Sequence, residues 1–262
     1  MMKRTLFLLA ALALFAALAC GPEAETGAVF TRYSAHACAA PSPADTVTPP
    51  PGVNAEFLMG KFEPESHAQF VPVTTPYANR SGMYLRRETL TAFEKMWDAA
   101  RAEGVTLTII SATRNFDYQK GIWEKKWAKY ASQYPEPVAR ARKILEYSAM
   151  PGASRHHWGT DIDLNDLNNS AFQAGGAQEN VYRWLQKNAA DYGFFQPYTA
   201  KGAQRPKGYN EERWHWSYRP LSEPLLEQYE QHITDRQFAG FSGAETATAI
   251  GIVRNYAAGI AH

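Results

Sequence analysis

The stretch Ser154-Arg155-His156-His157-Trp158-Gly159-Thr160-Asp161-Ile162-Asp163-Leu164 decides how this chain is read. From Asp161 to Leu164 polar and apolar side chains alternate with period two, the pattern of a strand with one face buried. Asp161 and Asp163 then share one face, and Ile162 and Leu164 turn to the core. Gly159 argues against a helix through the preceding residues, so His156 is expected in a loop that runs into the strand. A histidine and a carboxylate are delivered to one place. Alone, such a pair is weak evidence for a metal, because both aspartates could equally face water beside a turn.

Two further stretches strengthen it. Glu212-Arg-Trp-His215-Trp leads into a strand candidate, Trp214 to Tyr218, closed by Pro220. Residues three apart on a straight strand face opposite sides, so Glu212 is expected in the loop before it, curled back towards whatever His215 binds. Val105 to Ser111 is short and β-branched and reads as a buried strand leading into the turn Ala112 to Asn115, which displays Arg114.

A catalytic zinc takes three protein ligands from histidine and carboxylate and leaves the fourth position to water. His156, Asp163 and His215 fill that set, Glu212 is placed to take a proton from the water, and Arg114 to neutralise an oxyanion. The bland readings are a His215 stacked between Trp214 and Trp216, and an Arg114 that is a solvated surface group. His157 is expected beside the site or on the surface. His36, His232 and His262 have no convergent partner, and His67 is left without a role.

Outward from these motifs, the 262 residues carry a formal net charge of +1 and no Lys/Arg block, which argues against nucleic acid as a partner. Met1 to Ala19 has the build of a secretory signal, too short to remain as a membrane span. Cys20 follows it, and Leu18-Ala19-Cys20 is similar to the lipobox of bacterial lipoproteins, although an ordinary signal peptidase site followed by a Cys20–Cys38 disulfide, or a free thiol, fits as well. Both readings export the protein to the periplasm or cell envelope, in the first case anchored to the membrane through lipidated Cys20. No cysteine lies beyond Cys38, so a metal in the folded domain must be held by nitrogen and oxygen.

Residues 20–53 read as a disordered tether rich in Ala, Pro, Thr and Ser, residues 54–235 as the folded domain, and residues 236–262 as a tail or surface helix. Helices are expected over Glu88 to Glu103, ended by Gly104, over Asp117 to Ala131, over Pro137 to Tyr147, and over Gln178 to Tyr192, stopped by Gly193.

With these motifs in this order the chain resembles the D-alanyl-D-alanine carboxypeptidases and dipeptidases of vancomycin resistance, within the lysostaphin-type and hedgehog-type zinc domains. The signature Ser-x-His-x-x-Gly-x-Ala-x-Asp is met at Ser154, His156, Gly159 and Asp163, and Glu-x-x-His at Glu212 and His215. Asp161 departs from it, standing where the family has alanine; an extra carboxylate there can back a metal ligand, deter an acidic substrate, or turn aside. The resemblance implies that His156, Asp163 and His215 hold zinc, that Glu212 is the general base, and that Arg114, in Ser111-Ala-Thr-Arg114 ahead of Tyr118 and Gln119, stabilises the transition state. Ser154, Gln119 and Trp214 are the expected substrate contacts.

The expected fold is α+β, a small antiparallel sheet flanked by helices with the zinc site on the sheet. The expected function is a monomeric zinc carboxypeptidase acting on the D-alanyl-D-alanine ends of peptidoglycan peptides. A peptidoglycan endopeptidase or L,D-carboxypeptidase with the same site, and a non-catalytic cell-wall-binding lipoprotein, are the alternatives.

Overall fold

The alternating segment lies at the centre of a four-stranded antiparallel sheet in the computed structural model, which describes residues 53–262. The expected leader, Cys20 and Cys38 lie outside the described residues. In chain order, α1 (Ala55–Leu58) and a hairpin of β1 (Phe70–Val73) and β2 (Met83–Arg86) precede the long helix α2 (Arg87–Ala102). Then come β3 (Ile109–Ser111), α3 (Phe116–Lys129), α4 (Pro137–Ile144) and β4 (Asp161–Leu164). The chain continues through α5 (Glu179–Asn188), β5 (Phe194–Phe195), β6 (His215–Tyr218), α6 (Arg219–His232) and α7 (Ala247–Ile250).

The sheet order is β3-β4-β6-β5, antiparallel throughout. Its register sets Asp163 opposite His215 on one side and Ser111 on the other, with Asp161 opposite Ser217 and Ile162 opposite Trp216. Because side chains alternate along each strand, Asp161, Asp163, His215 and Ser217 gather on one face. The other face is apolar. There Ile162, Leu164 and Trp216 pack with Leu90, Phe93 and Met96 of α2 and with Val181 and Leu185 of α5. A second core gathers Trp123 of α3, Ile144 of α4, Leu225 and Tyr229 of α6 and much of the C-terminal segment. Each fully buried side chain of this size contributes about 1.5–3 kcal/mol relative to exposure.

Local chemistry sets where the elements begin and end. The Asn115 side chain accepts the Tyr118 amide at 2.9 Å and caps α3, so the chain turns sharply between Ser111 and Phe116 with Arg114 in the turn. Glu136 caps α4 by accepting from the amides of Val138 and Ala139, with Pro137 in the first turn. Gly104, at φ 75°, follows α2 in the left-handed region where glycine is favoured.

Three expectations change. The strand expected over Val105 to Ser111 starts only at Ile109, because its partner β4 ends at Leu164 and Asn165, at φ 63°, turns the chain away. Asn165 instead ties down the Thr108 amide with its side-chain oxygen at 3.0 Å. Pro220 does not simply close a strand: it sits in the first turn of α6, where a missing amide hydrogen costs nothing. Residues 236–262, expected as a tail or surface helix, are instead built into the second core through buried Phe238, Phe241, Ile250, Ile252 and Ile260. The Trp123 indole N–H donates to the Ser242 carbonyl at 2.8 Å, and Gly243 lies so close to the Trp127 ring that a Cβ has no room there. The segment is too rich in alanine and glycine, and its turns too short, to show a helical period in sequence.

Candidate metal-dependent active site

His156, in a short helical turn at Arg155–Trp158, and Asp163 and His215, facing each other across β4 and β6, bring three ligand atoms together. His156 Nε2 lies 3.3 Å from His215 Nδ1 and 3.3 Å from Asp163 Oδ1, and His215 Nδ1 lies 3.2 Å from Asp163 Oδ1. Ligands about 2.0–2.2 Å from a tetrahedral zinc are about 3.4 Å apart, so the triangle has the right edge for one.

The protons agree. His156 Nδ1–H donates to the Ala112 carbonyl at 2.8 Å, which leaves Nε2 as a lone pair, and His215 Nε2–H donates to Asp161 at 2.9 Å, which leaves Nδ1 as a lone pair. Asp163 Oδ1 is buried and has no hydrogen-bond donor. With both rings neutral, three electron-rich atoms face one another in a dry place, an arrangement relieved by a bound cation or by a proton on His215. The donor set of two imidazoles and one carboxylate, with no thiolate, fits zinc.

Electrostatics point the same way. Burial disfavours a charged His215, but Asp161, Asp163 and Glu212 outweigh it and hold its pKa well above the ordinary histidine value. Burial alone would raise Asp163, yet His156 and His215 pull it well below the carboxylate range. The three carboxylates thus draw positive charge to the position of His215, whether as a proton on the ring or as a cation bound to it.

Glu212 lies in the loop before β6, as its spacing requires, in a turn closed by the His215 amide donating to the Glu212 carbonyl at 3.3 Å. Its Oε2 is 3.4 Å from His215 Nδ1. Burial pushes Glu212 above the usual carboxylate range, with His215 pulling it back. A carboxylate so poised can hold a proton for part of a reaction. Arg114 lies across the site, its Nη1 3.7 Å from Asp163 Oδ2 and 3.3 Å from Ser111 Oγ, with its side chain 21% exposed. It is neither a free surface group nor fully consumed by a partner.

Two adjoining cavities open on this cluster. The larger, about 480 Å³, is lined by Arg114, Lys126, Tyr147, Asp163, Glu212 and Trp214. The smaller, about 50 Å³, is walled by Gln119, Ser148, Ser154, His156, Tyr198 and His215. The expected contacts thus divide, with Trp214 in the larger cavity and Ser154 and Gln119 in the smaller. Gln119 donates to the Ala149 carbonyl at 2.9 Å, and its Oε1 is buried without a donor.

Sequence reasoning missed two participants, Lys126 and Tyr198, and left the role of Asp161 open. Lys126 donates to Ser148 Oγ at 2.5 Å and has no carboxylate within 4.0 Å among the described residues. Burial lowers its pKa, Glu212 opposing. A signal existed, since Lys126 follows Ile122 by one helical turn on the face of α3 that lines the cavity. Tyr198 packs its ring 4.7 Å from that of His215, from a loop with no motif to mark it. His157, expected beside the site or on the surface, takes the first of these places: it is 0% exposed and holds the Arg114 turn from behind. Asp161 is 0% exposed and bonded to His215. His67 packs among Phe57, Phe62 and Phe70, away from the site.

Comparison with known proteins reaches the same region. Residues 82–221 match the family model described as VanY: D-alanyl-D-alanine carboxypeptidase. YodJ of Bacillus subtilis (strain 168), which is named as a carboxypeptidase, is 32% identical over 170 residues, covering 63% of this chain and 58% of that protein. A D-alanyl-D-alanine carboxypeptidase of Enterococcus faecalis (strain ATCC 700802 / V583) is 32% identical over 126 residues, covering 48% of this chain and 44% of that protein. The chain thus spans about half the length of the curated relatives it matches. A vancomycin-resistance D,D-pentapeptidase, VanY from a VanB-type resistance cassette, solved in complex with Zn(II), is 27% identical with a TM-score of 0.44, over 61% of this chain and 89% of that one.

Proposed function

Since the chain belongs to the VanY family of D-alanyl-D-alanine carboxypeptidases, we propose that it is a zinc-dependent carboxypeptidase that removes the terminal D-alanine from peptidoglycan peptides ending in D-alanyl-D-alanine. One observation carries this reading: three ligand atoms 3.2–3.3 Å apart beside one sheet face, two from imidazoles and one from a carboxylate, with a further buried carboxylate 3.4 Å from one of them. A purely structural metal site has no use for that carboxylate.

His156, Asp163 and His215 hold the metal in this reading. Zinc bound there supplies a Lewis acid that makes a water more acidic and polarises the scissile carbonyl. Glu212 takes one proton from the attacking water through its carboxylate oxygen. The water oxygen bonds to the carbonyl carbon, and the Arg114 guanidinium faces the negative charge that develops on the carbonyl oxygen. As the C–N bond breaks, Glu212 returns the proton to the leaving amine, so one carboxyl group serves as base and then as acid. Its raised pKa suits both duties.

The cavities support an exopeptidase with a short leaving group. The smaller, about 50 Å³ with Tyr198 and Tyr209 in its wall, matches a small side chain such as the methyl of alanine. Lys126, a cation without a carboxylate beside the cluster, offers a counter-ion to a free C-terminal carboxylate. An endopeptidase substrate carries no such charge there. The reading also places the enzyme outside the cytoplasm, in the periplasm or cell envelope, by way of Met1 to Ala19 and with Cys20 as a candidate lipid anchor.

The test is to measure zinc in the purified protein and to incubate it with a pentapeptide ending in D-Ala-D-Ala. Release of D-alanine that is abolished by a chelator, restored by zinc and absent in Glu212→Gln supports the proposal. Bound zinc without hydrolysis of any muropeptide overturns it in favour of a binding protein, and cleavage within cross-linked peptides overturns it in favour of an endopeptidase.

A further inference from the structure

Asp161 stands on the same sheet face as Asp163 yet takes no part in the ligand triangle. Its two oxygens are filled by four donors. Oδ1 accepts from His215 Nε2–H at 2.9 Å and from Arg155 Nε at 3.1 Å, and Oδ2 accepts from Thr160 Oγ1 at 2.6 Å and Ser217 Oγ at 3.1 Å. Arg155 Nη2 donates to Ser217 Oγ at 2.7 Å, and the guanidinium stacks on Trp158 at 4.9 Å. Asp161 and Arg155 have side-chain exposures of 0% and 1%.

A buried ion pair of this kind is a poor way to gain stability, because removing two charges from water costs about as much as their attraction returns. Its geometry points to another use. A neutral imidazole carries its proton on either nitrogen, and His215 can present Nδ1 to a metal only if the proton stays on Nε2. A carboxylate at 2.9 Å from Nε2 makes that tautomer the stable one and fixes the ring plane. With every Asp161 lone pair engaged and Arg155 balancing its charge, the carboxylate is also held back from becoming a fourth ligand, so that position stays open.

We propose that Asp161, clamped by Arg155, Thr160 and Ser217, is a positioning residue that locks His215 as an Nδ1 ligand and keeps the metal site three-coordinate towards protein. This rests on the reading of His156, Asp163 and His215 as a zinc site. Asp161 touches neither substrate nor metal and acts only through His215. Ser217, directly opposite it in β6, belongs to the same device, since its hydroxyl bonds both members of the ion pair.

The wild-type protein gives the first measurement, because it needs no variant to fold. In the zinc-loaded protein with ¹⁵N-labelled histidine, long-range ¹H–¹⁵N spectra are expected to show His215 with its proton on Nε2. A proton on Nδ1 overturns the proposal. The second measurement is zinc affinity by chelator competition in Asp161→Asn and in Asp161→Ala/Arg155→Leu, which removes both charges and so avoids stranding a buried arginine. Both variants are expected to weaken zinc binding roughly 10- to 100-fold while the double variant keeps the wild-type circular dichroism spectrum. A folded double variant that binds zinc within twofold of wild type overturns the proposal, leaving a merely structural ion pair. Failure of the wild type itself to bind zinc is a different result, and removes the metal reading on which the proposal stands.

Discussion

His157 Nδ1–H donates to the main-chain oxygen of Arg114 at 2.6 Å, and its Nε2 accepts the Gly152 amide at 3.0 Å. One neutral ring thus joins the turn that displays the arginine to the turn ahead of the Ser154 loop. The ring is wedged against Gly60, which lies at φ 75° and has no room for a Cβ. Replacing it by a ring of similar size without polar atoms, His157→Phe, leaves a part-buried carbonyl and a buried amide unpaired, the amide at about 1–3 kcal/mol. With the turn released, kcat is expected to fall roughly 10- to 100-fold, because misplacing a charge by an ångström is costly in the transition state. Steady-state kinetics with zinc content measured alongside checks this: an unchanged kcat in a folded variant means that other contacts hold Arg114.

The same ring predicts a pH dependence of stability. Burial lowers the His157 pKa from 6.5 to about 3, and a proton on Nε2 would set two donors face to face at Gly152. The unfolded chain takes up that proton below about pH 6.5 and the folded chain does not, so unfolding binds a proton across the window from 6.5 down to about 3. The stabilisation is complete above that window and is lost as pH falls through it, by up to about 1.4 kcal/mol per pH unit. Urea unfolding of wild type and His157→Phe at pH 7, 6 and 5 reads the difference in slope, which should be steeper for wild type. Parallel slopes would show that the folded ring binds a proton after all.

Arg114 and Glu212 separate by which kinetic constant they move. Glu212→Gln removes the proton carrier while leaving size and the His215 contact, so kcat is expected to drop by three orders of magnitude or more against the roughly 10²–10⁴-fold typical of general acid–base groups. Arg114→Ala removes charge stabilisation worth roughly 10²–10³ in kcat. Neither variant should lose zinc by more than a few fold, since neither side chain is in the ligand triangle. Loss of metal from Glu212→Gln would place the carboxylate among the ligands and undo its assignment as base.

How much of this was legible follows from where each group gets its position. Asp163 and His215 are placed by strand alternation and by cross-strand register, which period-two patterning exposes directly, and Glu212 by the rule that residues three apart cannot share a strand face. His157 and Asp161 owe their roles to partners far away in sequence, the Arg114 carbonyl and Ser217 Oγ, and no local pattern announces such pairings. The β1–β2 hairpin was missed because Pro72 interrupts its first strand and a nine-residue connection hides the turn. Ala247, Ala257 and Gly243 pack closely because they are small, and small residues carry little periodic signal.

Lys126 offers a test of exopeptidase character. A peptide ending in D-Ala-D-Ala and the same peptide as its C-terminal amide differ at one charge. If the ammonium meets the free carboxylate, Lys126→Met should raise KM for the acid roughly tenfold to a hundredfold, the worth of a charge-assisted hydrogen bond, and leave the amide unaffected. Equal losses on acid and amide would assign the lysine to a different part of the substrate. No change on either would leave it as a partner of Ser148 alone.

The C-terminal segment is tied to His215 by a run of rings. Tyr256 packs on Tyr209 at 5.3 Å, Tyr209 on Tyr198 at 5.0 Å, and Tyr198 on His215 at 4.7 Å. A chain ending at Gln237 would lose that support together with Phe238, Phe241, Ile250, Ile252 and Ile260. At about 1.5–3 kcal/mol for each such side chain, the loss rivals the whole stability of about 5–15 kcal/mol that a domain has to spare. The truncated protein is therefore expected to be unfolded or insoluble and to bind no zinc, whereas deletion of exposed His262 alone should change neither melting temperature nor activity. Circular dichroism, limited proteolysis and zinc analysis of the two truncations decide the matter. A folded, zinc-binding chain ending at Gln237 would show that the segment covers the domain without being part of it.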